Sequence, residues 1–249
     1  MSSPPRELLE ELETLRRRIA ERESQAAAKE QQLQRYAADL RETFKQERAR
    51  AQQLSDSYIA TVRALANAVE ARDAYTGKHA ERVAAYGLEI ARALGTPLAD
   101  DPRSEFGFLL HDIGKLAVPD RILFKPEPLD DEERRAIERH PVLGCDILES
   151  IDFLDDAKAV VRSHHERWDG DGYPDGLKGE DIPLAARVFA VADTLDALTT
   201  DRPYRRSVPL TEARKTIEAG AGSQFDPRVV EAFRGVPDAV LRSIREKAR

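Results

Sequence analysis

Cysteine is nearly absent from the 249-residue sequence: Cys145 stands alone, so no internal disulfide can form. A reducing compartment such as the cytoplasm is the expected setting. Long apolar runs are missing too. The longest, such as LAARVFAVA at 184–192, fall far short of the roughly 20 residues a membrane helix needs. Residues 1–20 are dense in Glu and Arg and lack the apolar stretch of a secretory signal. Nor is there a basic stripe. Net charge is −7; residues 1–57 balance 11 basic against 11 acidic side chains, and the remainder holds 28 against 35. That excludes a general binder of nucleic-acid polymers, which needs clustered cations to displace counterions from phosphates. Any phosphate-bearing ligand must be held locally, by metal ions or a few arginines.

Glycine and proline are absent from Arg6 to Thr76. Good helix formers fill the gap, which predicts one uninterrupted helix on the order of 100 Å long. Alternating steps of four and three from Leu8 reach Leu12, Leu15, Ile19, Arg22, Ala26, Lys29, Leu33, Tyr36 and Leu40. This is a heptad seam with two charged interruptions. It then shifts by one position to Phe44, Ala51, Leu54 and Tyr58, as a stutter does. The seam predicts a parallel two-stranded coiled coil, hence a homodimer able to pass register or rotation changes along the helix. The expected division is a coiled-coil helix over 1–57 and a globular domain over 58–249.

In the globular part the pattern turns to short amphipathic helices, and nothing alternates with period two for long enough to suggest a sheet. Val83, Tyr86, Ile90 and Leu94 mark one face, closed by Gly95 and Pro97. SEFGFLLHDIG (104–114) reads as a buried helix ending at glycine, and Asp130 as the N-cap of the helix before His140. Further helices are expected over 142–150, 153–165, 183–200, 209–219, 227–234 and 236–247. The fold class is all-α.

All five histidines, His79, His111, His140, His164 and His165, lie in this part. Asp112 follows His111, and Asp193 sits mid-helix among Ala, Val, Phe and Leu. A carboxylate in so apolar a helix is costly unless it is paired or ligates a cation. Taken singly, each feature has a plain explanation: a hydrogen-bonded core histidine, a tight GDGYPDG turn, a buried cap. Their joint occurrence in one helical domain points to a metal centre. Imidazole and carboxylate without thiolates suit Fe, Mn, Ni or Zn and disfavour a structural zinc-thiolate site.

Six strings carry a family resemblance: DAYTGKHAERV (73–83), LLHDIGKLAVPD (109–120), RHPVLG (139–144), HHERWDGDGYPDGLKG (164–179), VFAVADTLDALTTDRPYR (188–205) and GAGSQFDP (220–227). Together they resemble the HD-GYP family of the HD phosphohydrolase superfamily. The resemblance implies a helical HD domain with a metal centre that hydrolyses cyclic di-GMP. It places His111, Asp112, His140, His164, His165 and Asp193 on metal-ligand positions, with Asp112 bridging. His111 and Asp193 would serve mainly one metal, and His140 with the 164–165 pair mainly the other. His79 falls on a position used when a third metal is present. Tyr75 stands where trinuclear members carry a glutamate ligand, so two divalent metals are expected, Fe or Mn ahead of Ni or Zn.

The resemblance further implies that Lys115 orients the nucleophile or offsets phosphate charge. Gly172, Tyr173 and Pro174 would line the substrate pocket, with Arg202 and Arg205 holding phosphate or guanine through forked bonds and stacking. Trp168 and Asp169 would pack the loop, and Glu166 would orient a histidine. The expected reaction is attack by a bridging hydroxide, giving linear pGpG and then GMP if the dinucleotide re-enters. Two alternatives remain open. One is a catalytically weak cyclic di-GMP-binding module that signals through the coiled coil or docks a GGDEF-type cyclase; the other is an HD hydrolase acting on a different nucleotide.

Overall fold

The computed structural model describes residues 6–72, 78–99, 101–201 and 206–247. The chain divides into two compact units, Met1–Tyr58 and Ile59–Arg249. Helix α1 (Arg6–Arg72) forms the described part of the first unit and supplies the second with its last turns. Its 67 residues span about 100 Å. Along the first unit the described apolar seam side chains are exposed, from Tyr58 at 38% to Phe44 at 72%.

The second unit is built entirely of helices; among the described residues the one extended pairing is an isolated bridge between Ala221 and Phe225. The end of α1 enters the core because Val62, Ala66 and Val69, spaced by four and three, fall on one face and are buried. Next come α2 (His79–Ala93), α3 (Pro102–Leu110), the short α4 (Asp120–Leu123) and α5 (Asp131–Glu138). They are followed by α6 (His140–Leu148), α7 (Asp155–Ser163), α8 (Leu184–Thr199), α9 (Leu210–Ala219), α10 (Pro227–Gly235) and α11 (Asp238–Lys247). α8 is central. Val188, Phe189, Val191, Ala192 and Leu195 are buried on it, and it packs against α2, α7, α9 and α10. α5 starts at a capping box: the Asp130 carboxylate accepts from the N–H groups of Glu132 and Glu133, and Glu133 accepts from the Asp130 N–H.

Three helices end two or more residues earlier than the sequence pattern predicts, among them α6, which stops at Leu148 rather than at 150. α3 stops at Leu110, and a 3-10 segment over Ile113–Ala117 follows. α7 stops at Ser163, with His164 as its C-cap. The break after α3 has a physical reason at Gly114. A Cβ there would lie 1.8 Å from the His140 carbonyl oxygen and 2.6 Å from the Gly144 nitrogen. The 3-10 segment thus lies backbone to backbone on α6, a closeness that only glycine permits. Asp112, at φ −95° and ψ 7°, turns into that contact.

This contact generates a stability prediction. Gly114→Ala should lower stability by about 3 kcal/mol or more, because rigid backbone must move. Gly235→Ala, where a Cβ meets nothing within 4 Å, should stay within about 0.5 kcal/mol of the parent. Urea unfolding of both variants followed by circular dichroism measures the difference.

Candidate metal centre

The centre is assembled from the ends of helices. His140 opens α6, His164 and His165 follow α7, and His111 and Asp112 follow α3. Three of these rings are fixed the same way, each bonded to the carbonyl three residues before it. The Nδ1–H donates to Phe108 O from His111 at 2.9 Å, to Ile137 O from His140 at 2.8 Å and to Val161 O from His164 at 2.9 Å. A carbonyl only accepts, so the proton is on Nδ1, and in the neutral ring Nε2 carries a lone pair. The Nε2 atoms of His140 and His164 face each other at 3.0 Å. Burial, with the neighbouring rings, pulls the His164 imidazole well below its ordinary pKa and pulls His165 down to about 3. The Nε2 lone pair of the neutral His164 ring thus faces the His140 Nε2, an arrangement that a cation beside the two atoms would satisfy.

The donor atoms of His140, His164 and His165 lie within 4.8 Å of one another. Asp112 borders this triad, its Oδ1 3.3 Å from His140 Nε2. Its Oδ2 is 3.1 Å from His111 Nε2 and accepts from the Lys115 ammonium at 2.8 Å. Burial alone would push this carboxyl up, but the His111 ring and Lys115 hold it well below the usual range. One carboxylate therefore links the His140–His164–His165 group to His111.

Beyond His111 stands His79, ring centroids 5.5 Å apart, with its Nε2 3.4 Å from Asp193 Oδ1. These residues, with Lys115 and His165, line a cavity of about 160 Å³ whose remaining wall includes Glu70 from the end of α1. The Glu70 carboxylate accepts from the Ala80 N–H. Asp193 is partly exposed on the cavity; the buried acid of α8 is Asp196, one turn on. Arg82 grips both oxygens of Asp196 with bonds of 2.6 and 3.0 Å, and His79 Nδ1 lies 2.7 Å from Oδ2, one of the same two oxygens. Burial opposes charge on His79, yet the two aspartates outweigh it and raise its pKa. The sequence reading gave Asp196 and Arg82 no role. The available signal was a second aspartate three residues after Asp193 on the same apolar helix.

The GYP loop folds over the histidine pair. Tyr173 stacks on His165, centroids 4.6 Å apart and planes 24° apart, and burial pushes its phenol pKa up. Tyr173 thus backs a histidine rather than lining the cavity described above. Gly172 is required by contact: a Cβ would come within 2.5 Å of the Arg167 nitrogen and the Glu166 Cα. The Tyr173–Pro174 peptide is cis. Glu166 does not orient a histidine. Its buried carboxylate accepts from the N–H groups of Asp175 and Leu177 at 2.8 and 3.0 Å, closing the loop on itself. Trp168 and Asp169 tether the loop to Gln224 and Ser223 through backbone bonds. Arg202, Arg205 and Tyr75 lie outside the described residues.

The donor set fits divalent cations: opposed imidazole nitrogens, three carboxylates (Glu70, Asp112 and Asp193) lining one cavity, and no thiolate among the lining residues. No helix among the described residues is long and apolar enough to cross a membrane.

Comparison with known proteins agrees with this architecture. A family model described as an HD domain matches residues 63–229. A cyclic di-GMP phosphodiesterase of Thermotoga maritima is 42% identical over 166 residues, covering 66% of this chain and 45% of the relative. A 3′3′-cGAMP-specific phosphodiesterase of Vibrio cholerae is 40% identical over 169 residues, covering 67% and 32%. The chain spans less than half the length of these relatives. Among solved structures, a cyclic GMP-AMP-specific phosphodiesterase of V. cholerae superposes with a TM-score of 0.55 at 17% identity, over 75% of this chain and 53% of that one, a likeness of fold. With two thirds of its length under the family model and the signature strings in order, the chain belongs to the HD domain family, of the HD-GYP type.

Proposed function

We propose that this chain is a metal-dependent phosphodiesterase that hydrolyses cyclic di-GMP to pGpG, and onward to GMP when the linear product rebinds. The observation that carries this reading is the pair of opposed Nε2 atoms at 3.0 Å beside Asp112. His140, His164 and His165 would hold one cation, His111 and Asp193 the other, and Asp112 both. His79 is oriented toward Asp193 and would serve a further cation if one binds. Fe or Mn suits the set best, with Ni and Zn as alternatives. When bound, the cations supply Lewis acidity, which acidifies water and neutralises phosphoryl oxygens.

The chain's own residues do the rest. Asp112 is kept anionic by His111 and Lys115, so it is an acceptor at neutral pH. The Lys115 ammonium stands on the cavity wall, where it can donate to a phosphoryl oxygen or fix the attacking water. In the hydrolysis a water oxygen joins phosphorus, the bond from phosphorus to the ribose 3′ oxygen breaks, and a proton ends on that oxygen. A cavity of about 160 Å³ has room for roughly five waters. It takes the cations and one phosphodiester and leaves the nucleobases at the rim; Arg202 and Arg205 are the proposed partners of the phosphate or guanine.

The names of the curated relatives support a second substrate reading, 3′3′-cGAMP, which differs from cyclic di-GMP only in one base. The exposed heptad seam of α1 supports a homodimer formed by a second copy of this helix. A GGDEF-type protein is a further proposed partner.

Four measurements test these statements. Anaerobically purified protein should contain about two divalent metals per chain by elemental analysis and convert cyclic di-GMP to pGpG faster than 3′3′-cGAMP. Asp112→Ala should keep its circular dichroism spectrum and lose turnover to background; retained turnover would remove Asp112 from the centre. Asp196→Asn should keep the content of two metals and lower stability by about 3 kcal/mol in urea unfolding, because the buried Arg82 guanidinium loses its anionic partner; parental stability would show the pair to be dispensable to the fold. Light scattering should give twice the 27.9 kDa chain mass, and Leu33→Lys with Leu40→Lys should halve it.

A further inference from the structure

Arg72 is the last residue of α1, and its guanidinium is spent on a segment it does not touch in sequence. It donates to the carbonyls of Leu116 at 2.6 Å, Val118 at 3.1 Å and, at the limit, Lys115 at 3.4 Å. A further bond of 2.5 Å reaches the carboxylate of Asp120. These carbonyls stand at and just beyond the C-terminal end of the 3-10 segment Ile113–Ala117, where the last backbone acceptors of a helix turn outward; that of Lys115 also accepts from the Val118 N–H at 3.1 Å. The Asp120 side chain is 71% exposed, so the ion pair with it adds little. The carbonyl bonds are the reason for an arginine: one planar fork covers acceptors that a lysine ammonium cannot reach together.

The segment so held carries Asp112 and Lys115. Its internal bonds, Lys115 N–H to Asp112 O at 2.9 Å and Val118 N–H to Lys115 O at 3.1 Å, make it move as one piece. At its front, Gly114 rests on the α6 backbone. At its back, Arg72 is the tie. The same last turns of α1 place Ala66, Val69 and Glu70 on the cavity wall, and Val62, Ala66 and Val69 are buried, which fixes the helix and with it Arg72.

We propose that Arg72 is a positioning residue for Lys115 and Asp112: by gripping the carbonyl end of their segment it holds the ammonium on the carboxylate at the cavity. The inference rests on the reading that these two residues serve phosphodiester hydrolysis. It also makes the end of α1 a determinant of the rate, since a small rotation of that helix would re-aim the segment.

The test uses full-length, metal-loaded protein with Arg72→Ala, Arg72→Lys and Asp120→Asn. Metal content and circular dichroism should be unchanged in all three. With cyclic di-GMP and with bis(p-nitrophenyl) phosphate, Arg72→Ala should lose about 10–100-fold in kcat, the size of effect a misplacement of about 1 Å produces. KM should stay within about twofold, which separates lost positioning from lost binding. Millimolar guanidinium should restore part of the kcat of Arg72→Ala, and methylammonium should not. Arg72→Lys should resemble the alanine variant, and Asp120→Asn the parent. Hydrogen exchange of the peptide over 111–118 should be at least about tenfold faster in Arg72→Ala, as expected where a local anchor is lost. Parental kcat or parental exchange in Arg72→Ala overturns the proposal, as does a loss that guanidinium leaves untouched and that tracks metal content. A parent inactive on both substrates would instead defeat the reading of the site as hydrolytic, and the exchange rates would still decide whether Arg72 anchors the segment.

Discussion

The second unit is organised around two imidazole lone pairs that point at each other. Each ring is pinned from behind by a backbone carbonyl three residues upstream, so neither can turn away to relieve the opposition. A protein reaches such an arrangement only where something positive is meant to occupy the gap, and the surrounding structure follows from that need. Helix ends converge there because they offer rings at fixed angles. α6 and the 3-10 segment approach backbone to backbone so that Asp112 can stand beside His140. The apolar mass of α8 lays Phe189 against His111 and His164, and burial there holds the His164 imidazole well below its ordinary pKa.

Around that gap lies a layer of residues set behind the rings and carboxylates. Arg82 and Asp196 orient His79, Tyr173 backs His165, and Arg72 ties down the segment that carries Lys115. The division of labour is spatial. Groups facing the cavity are those whose chemistry is scarce, and groups behind them are forks and carboxylates that satisfy two partners at once.

How much of this was legible beforehand depends on the range of the interaction. The long α1, the all-α class, the capping box at Asp130 and the gathering of five histidines are written in local spacing or in residue types too costly to place idly. The early ends of α3 and α7, the service of Glu166 to its own loop and the Arg82–Asp196 pair were not legible. Each depends on which distant backbone arrives next to it. Gly114 reads as a helix terminator in sequence, whereas in three dimensions it is the point where two backbones touch. The acid of α8 that most needed a partner was not the one flagged: Asp193 looks into the cavity, and Asp196 carries the burial.

The inward turn of Glu166 has an electrostatic consequence. Standing directly after two histidines, it could have added a third negative charge to the centre, but its carboxylate is consumed by Asp175 and Leu177. Two divalent ions held by imidazoles and two acids, with Glu70 on the same wall, would still be under-neutralised. The pit would then be a local positive well in a domain of negative sign, and the domain would draw a doubly charged cyclic ester inward while its outer surface repels that same molecule.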